Sequence, residues 1–349
     1  MSIVEVAKLA GCSHTTVSRV INQKPGVSAE VTGRVQAAMQ KLRYVPPVKR
    51  RGPVPKNSRS ARTGNVAVLM FGTNATPLAS PVSAAAIHAV EDELGNHGYS
   101  MSLGQVAEQS DGAVRLPSVV TRGDIDGLIL HGKPPRREQA AVLQRFPAVW
   151  IMSPRSPSGY WGDRVCPDNA AIGRSAAEYL INRGHERIGF LYVDAAHLGF
   201  PARAAAFVQA ANDAGIASDV IRCPDEPAPT SGDFRALRRY IDSVIDRYME
   251  LPDRPSGLFV PRGQTTLMVF EALRSRGVEP GTGVTLIACD NDPVLGGLSP
   301  QIATLDVQPN HIGRCAVDQL MQRMQKPEPF ARADILVQPL LVEPTALGH

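Results

Sequence analysis

The chain has 349 residues, 43% of them hydrophobic and 20% charged, with a net charge of +4. That length supports two or three packed units, and the composition is ordinary for a globular protein. No apolar run reaches the ~18 residues of a membrane helix, and the N-terminus "MSIVEVAKLAGCS", with Glu5 and no long apolar core, does not read as a secretory signal.

Charge is not evenly spread. Residues 1–65 hold twelve Lys/Arg and only Glu5 and Glu30, a net of +10, whereas the remainder holds 25 basic and 31 acidic residues, a net of −6. A small basic head on a mildly acidic body is the footprint of a polyanion-binding module. The five cysteines (12, 166, 223, 289, 315) are scattered, with no C-x-x-C. They read as reduced thiols of the cytoplasm, with neither a zinc site nor a disulfide frame.

Residues 3–44 read as three short helices. Ile3, Val6, Ala7 and Ala10 share a face, and Gly11 stops the first helix. Ser13 is placed to cap "HTTVSRVIN", with Val17, Val20 and Ile21 inward. Ser28 caps a third helix whose stripe is Val31, Val35, Ala38/Met39 and Leu42, and Pro46–Pro47 stops it. Then comes "VKRRGPVPKNSRSAR" (48–62), with six basic residues and no acid. Such a segment cannot bury enough surface to fold alone.

From residue 65 short apolar runs alternate with amphipathic stretches. The runs are 65–72, 99–107, 125–132, 148–153, 187–194, 256–261 and 284–290; the stretches are 82–97, 169–183, 203–215, 234–249, 265–276 and 311–325. This alternation predicts parallel sheets covered by helices, and the length suggests two such lobes. The predicted organisation is an all-α head (1–47), a basic arm (48–64) and an α/β body (65–349).

In the head, two short helices meet at "AGCS". On the second, His14, Thr15, Ser18, Arg19 and Asn22 lie opposite Val17, Val20 and Ile21. A helix fits the DNA major groove, and its first turn brings such side chains to base edges. Residue pattern alone leaves an ordinary helical hairpin equally open.

The motif "VAKLAGCSHTTVSRVIN" resembles the DNA-binding head of the lactose-repressor (LacI/GalR) family, with Cys12 at a position usually held by Val. The resemblance implies base-reading roles for His14, Thr15, Ser18 and Arg19. It implies phosphate contacts for Thr16 and Asn22, with helix packing an equal alternative for Thr16. It continues through "DNAAIGRSAAEYLINRGHERIGFL" (168–191), "RAAAF" (203–207), "VTLIACDND" (284–292) and "ATLDVQPNHIGRCAVDQL" (303–320). The family body is similar to a periplasmic sugar-binding protein: two α/β lobes, three crossovers and a ligand between them.

The same resemblance implies effector-binding roles for Arg203 and Asp290, with a surface Arg and a helix-capping Asp as the alternatives. Trp161 is a candidate to stack on a sugar ring, or a core aromatic. His185 reads as a structural turn residue. Arg262–Gly263 replaces the family's usual Asn-Asp, so the effector could be a sugar derivative with an acidic group facing Arg203 and Arg262, or Arg262 could be structural, either solvated or paired with a pocket acid. The family's hinge helix inserts a Leu into the minor groove, but here Gly52 and Pro53 oppose a helix at that place. An extended arm with Arg50 and Arg51 on the DNA backbone is expected instead.

The expected function is a homodimeric, ligand-responsive DNA-binding regulator, with repression the family's usual sign, no cofactor and no catalytic residue. The competing class is a stand-alone binding protein or enzyme on the same scaffold. No G-x-S-x-G elbow, P-loop, H-E-x-x-H or dinucleotide fingerprint supports catalysis.

Overall fold

A computed structural model describes residues 3–21, 26–42, 44, 62–71, 80–106, 115–153, 159–194, 197–223, 233–298, 301–325 and 331–344. Contacts divide the chain into two compact units, Met1–Ala61 and Arg62–His349.

In the first unit, helices α1 (Ile3–Ala10), α2 (His14–Ile21) and α3 (Ala29–Lys41) enclose a small core. Val6, Val17 and Val35 are fully buried in it, with Cys12 packed against its side. Gly11 has φ +63°, a conformation only glycine adopts freely, and this reverses the chain between α1 and α2. Ser13 Oγ accepts the Thr16 amide at 3.1 Å, and Ser28 Oγ accepts the Val31 amide at 3.3 Å. These caps satisfy amides that the first helical turn leaves without partners.

The second unit contains two six-stranded sheets. The first has the order β11-β5-β4-β3-β1-β2, all parallel. Its strands are β1 (Asn65–Phe71), β2 (Ser100–Val106), β3 (Gly127–Gly132), β4 (Ala148–Ile151), β5 (Asp163–Pro167) and β11 (Asp334–Val337). β1 shows why its sequence is one apolar run: Val66, Val68 and Met70 enter one core cluster, and Ala67, Leu69 and Phe71 enter the other. α4 (Pro81–Asn96) and α11 (Pro309–Gln325) cover the first face, α5 (Ser118–Thr121) and α6 (Arg137–Leu143) the second.

The second sheet has the order β12-β10-β9-β8-β6-β7, parallel except for β12. Its strands are β6 (Arg187–Leu191), β7 (Ala217–Ile221), β8 (Gly257–Val260), β9 (Thr285–Cys289), β10 (Ala303–Asp306) and β12 (Leu340–Val342). Its helices are α7 (Asn169–Ile181), α8 (Phe200–Asp213), α9 (Phe234–Met249) and α10 (Gly263–Ser275). The chain crosses between lobes three times, after β5, β10 and β11.

One glycine in each lobe sets how closely two helices approach. A Cβ on Gly173 of α7 would fall 1.9 Å from the Arg203 carbonyl oxygen of α8. One on Gly313 of α11 would fall 2.4 Å from the Ala86 carbonyl oxygen of α4. No helix among the described residues is long and apolar enough to cross a membrane.

Candidate functional sites in the head and the body

In the head, the cap places His14 and Thr15 in the first turn of α2, both exposed. Arg19 is exposed one turn on, and its Nη2 lies 3.7 Å from the point where Gly26 would carry a Cβ. Ser18 is half-buried on the same helix. Thr16 is half-buried, with its hydroxyl 2.8 Å from Oγ of the exposed Ser13. Asn22, Arg50 and Arg51, with the arm from 48 to 61, lie outside the described residues; Arg62 is exposed.

In the body, polar groups collect where the second sheet's parallel strands end. Asp194 follows β6, Arg262 follows β8 and Asp290 follows β9. Arg203, in the first turn of α8, is buried among them. Its Nε donates to Asn169 Oδ1 at 2.9 Å, and its Nη1 donates to the Pro261 carbonyl oxygen and to Cys289 Sγ at 3.2 Å. Burial raises the Cys289 thiol's pKa, so the sulfur stays a neutral acceptor. Three elements therefore hold one guanidinium, and none of those partners is a carboxylate.

Asp290 has φ +78°, a strained conformation for a side-chain-bearing residue. Its Oδ2 accepts the Gly263 amide at 3.1 Å, which ties the end of β9 to the start of α10. Arg262 donates through Nη1 to Asp194 and through Nη2 to Gln264 Oε1 at 2.8 Å. Of the two readings left open for Arg262, this favours pairing with a nearby acid; an anionic ligand would have to displace Asp194. His197 lies beside both arginines. Burial, then the charges of Arg203 and Arg262, hold its pKa well below the usual histidine value, so it is neutral.

The first lobe contributes from the corresponding strand ends. His131 closes β3, with Nε2 3.2 Å from Ser83 Oγ in the first turn of α4. Its Nδ1 is buried without a partner, and burial lowers the ring's pKa to about 4. Val82 of α4 and Met152 after β4 pack against the core cluster of the second lobe. The carboxyl ends of the first sheet therefore face the second lobe, the usual position of a ligand crevice in open α/β sheets.

Of the two readings left open for Trp161, its surroundings favour the core aromatic. It is 8% exposed, inside the core cluster of the first lobe, with its ring centroid 5.3 Å from that of Trp150 at an interplanar angle of 87°. Core packing, not sugar stacking, explains it. His185 Nδ1 sits 2.8 Å from Ser256 Oγ, a contact joining two loops. The sequence reading missed Asp194, His197 and His131. Asp194 and His131 fell inside predicted strand segments, and the strand-end rule would have singled both out.

Three family descriptions match this chain. "Bacterial regulatory proteins, lacI family" covers residues 2–47. "Periplasmic binding proteins and sugar binding domain of LacI family" covers 74–227, and "Periplasmic binding protein-like domain" covers 177–343. The chain belongs to the LacI family. Among LacI-family relatives, the ribose operon repressor of Escherichia coli (strain K12) is 24% identical over 345 residues, spanning 97% of each chain. The transcriptional repressor PurR of Pasteurella multocida is 25% identical over 342 residues, 98% of this chain and 97% of the relative. Among solved structures, the lac repressor dimer bound to operator and the anti-inducer ONPF aligns with TM-score 0.67 at 20% identity, covering 99% and 98% of the two chains. The transcriptional regulator CelR–cellobiose complex aligns with TM-score 0.64 at 21% identity, covering 99% of each.

Proposed function

We propose that this chain is a ligand-responsive transcriptional repressor that binds a near-palindromic operator as a homodimer and senses a small molecule of the sugar class. It acts by binding, in the cytoplasm, where its DNA is. The observation that carries this reading is the capped α2, with His14, Thr15 and Arg19 exposed on one short helix. Arg19 reads guanine through O6 and N7, the pairing that guanidinium geometry suits best. Relatives named for ribose, and a neighbour bound to cellobiose, favour a sugar effector. Effector binding between the lobes changes the spacing of two heads and hence the free energy of operator binding, a coupling that is reciprocal. A gel shift with the DNA upstream of the protein's own gene tests the reading: a discrete complex that survives excess nonspecific DNA supports it, and smearing lost to that competitor refutes it.

Base reading makes a sharper expectation. Arg19→Ala should weaken operator binding by about 1–3 kcal/mol while leaving nonspecific binding nearly unchanged. Equal losses on both duplexes in fluorescence anisotropy would reduce Arg19 to a phosphate contact. Exchanging His14 and Thr15 for another pair should change the half-site recovered from a randomised library; an unchanged half-site would remove both from the reading role.

For the arm, six basic residues with no acid and Gly52–Pro53 at the hinge favour an extended segment along the backbone and minor groove. A narrow A·T-rich minor groove attracts Arg by its negative potential. A dimer carries twelve such charges. If half meet phosphates, the salt slope steepens by ~5 in log K per log salt. Replacing Arg50, Arg51, Lys56, Arg59 and Arg62 by Gln should flatten that slope; an unchanged slope would leave a linker that only adds solubility.

A further inference from the structure

On the first lobe, at the end of α4 remote from its cap, Glu93 and His97 stand four residues apart, so they share a helix face. Asp318 of α11 lies beside them. His97 Nε2 is 3.4 Å from Glu93 Oε1 and 3.7 Å from Asp318 Oδ1, and all three donor atoms lie within 4.8 Å of one another. A tetrahedral zinc ion with bonds of ~2.0–2.1 Å has ligand–ligand edges of about 3.3 Å. The two distances from His97, 3.4 and 3.7 Å, lie close to that figure.

Two features make this more than a chance meeting of surface groups. The helices that carry the triad cannot drift apart freely, because α11 is seated against α4 at Gly313. And among the described ion pairs neither Glu93 nor Asp318 meets a Lys or Arg; each is paired only with His97. Asn96 Nδ2 donates to Glu93 Oε2 at 3.2 Å, which leaves Oε1 turned toward the imidazole. Such outer contacts orient a ligating carboxylate.

We propose that Glu93, His97 and Asp318 bind a divalent transition ion of the zinc class, with water completing the coordination. One imidazole and two carboxylates suit Zn²⁺ over Ca²⁺ or Mg²⁺, which favour all-oxygen shells. The ion staples the end of α4 to α11, the helix by which the chain returns to the first lobe.

The test uses the full chain with Zn²⁺ or Co²⁺ alone. Zn²⁺ at about 100-fold above its Kd should raise the melting temperature by roughly 4 °C. Co²⁺ should give visible d–d absorption at one equivalent. His97→Ala and Asp318→Asn should each lose that absorption and the metal-dependent rise, read against the variant's own metal-free melting, so that a change in basal stability does not confuse the result. The same rise and absorption in both variants, or no response in the parent chain up to millimolar metal, overturns the site and leaves His97 as an ordinary partner of two carboxylates.

Discussion

Asp163→Ala should cost about 3–5 kcal/mol of stability, the loss expected when one member of a buried ion pair is removed and the other stays. Asp163 is 1% exposed at the start of β5. Its carboxylate accepts from Arg323 Nη2 at 2.6 Å, Gln319 Nε2 at 2.7 Å and the Ala333 amide at 2.9 Å. One carboxylate therefore joins β5, the end of α11 and the approach to β11. By contrast, the exposed Arg122–Asp124 pair should contribute less than about 1 kcal/mol. Burial alone would raise the Asp163 pKa; the bonds from Arg323, Ala333 and Gln319 outweigh it and hold the carboxyl below the usual range. A depressed folded pKa gives stability that is present above the unfolded value of about 3.9 and is lost as pH falls through the folded one. Urea denaturation of parent and variant should therefore differ by a constant amount above about pH 5, with the gap shrinking in acid below about pH 4. A gap under 1 kcal/mol at pH 7, or one that grows in acid, would refute this account of the lobe.

The second large effect concerns the effector. Arg203→Ala should weaken effector binding by about 1.5–3 kcal/mol, the range for losing a hydrogen bond from a charged group. It should leave operator binding without effector intact, because α2 is untouched. The variant also strips the donor from the Pro261 carbonyl oxygen, so some stability is lost. Arg203→Lys keeps the charge but loses the Nε bond to Asn169, and should fall between. Asp290→Asn keeps an acceptor for the Gly263 amide and should hold the fold while losing affinity. Calorimetry on each purified variant, with the sugar that shifts operator affinity in the parent chain, reads these losses. Normal affinity in both Arg203→Ala and Asp290→Asn would place the effector elsewhere.

Much of this architecture is legible in sequence because its signals are local. The helix caps, Gly11 and the apolar stripe of α1 to α3 all lie within a few residues of the features they set. The apolar run of β1 reads as a strand because both of its faces are buried. Gly173 falls at a small-residue position of the body motif, and the structure gives the reason in the Arg203 carbonyl it lies against. Strands β5, β7 and β10 escape notice because polar residues break their apolar runs (Asp163 and Arg164; Ser218 and Asp219; Thr304 and Asp306) and β11 is largely exposed, whereas β4 and β8, four residues each, are buried apolar runs throughout. β12 is also exposed throughout, so it has no buried face to give a pattern.

The contacts that matter most to the body link distant positions. Asp163 and Arg323 are 160 residues apart, and Asp194 and Arg262 are 68 apart. Nothing local announces either pair. Trp161 stayed open between two readings for a related reason: a loop tryptophan before a strand looks available until Trp150 of the neighbouring strand is seen against it. Asp318 is likewise invisible from Glu93 and His97 until α11 is laid on α4.

A pair of these chains should bind DNA sequence-specifically and with two-fold symmetry. The most direct test is selection of bound duplexes from a randomised library by the full chain, followed by sedimentation of the protein with the enriched duplex. The expected result is a motif of two inverted half-sites, two chains per duplex and an affinity at least ~10³-fold above a scrambled duplex of equal length. A library that returns no symmetric motif, with enriched and scrambled duplexes bound equally and released together by salt, would contradict it.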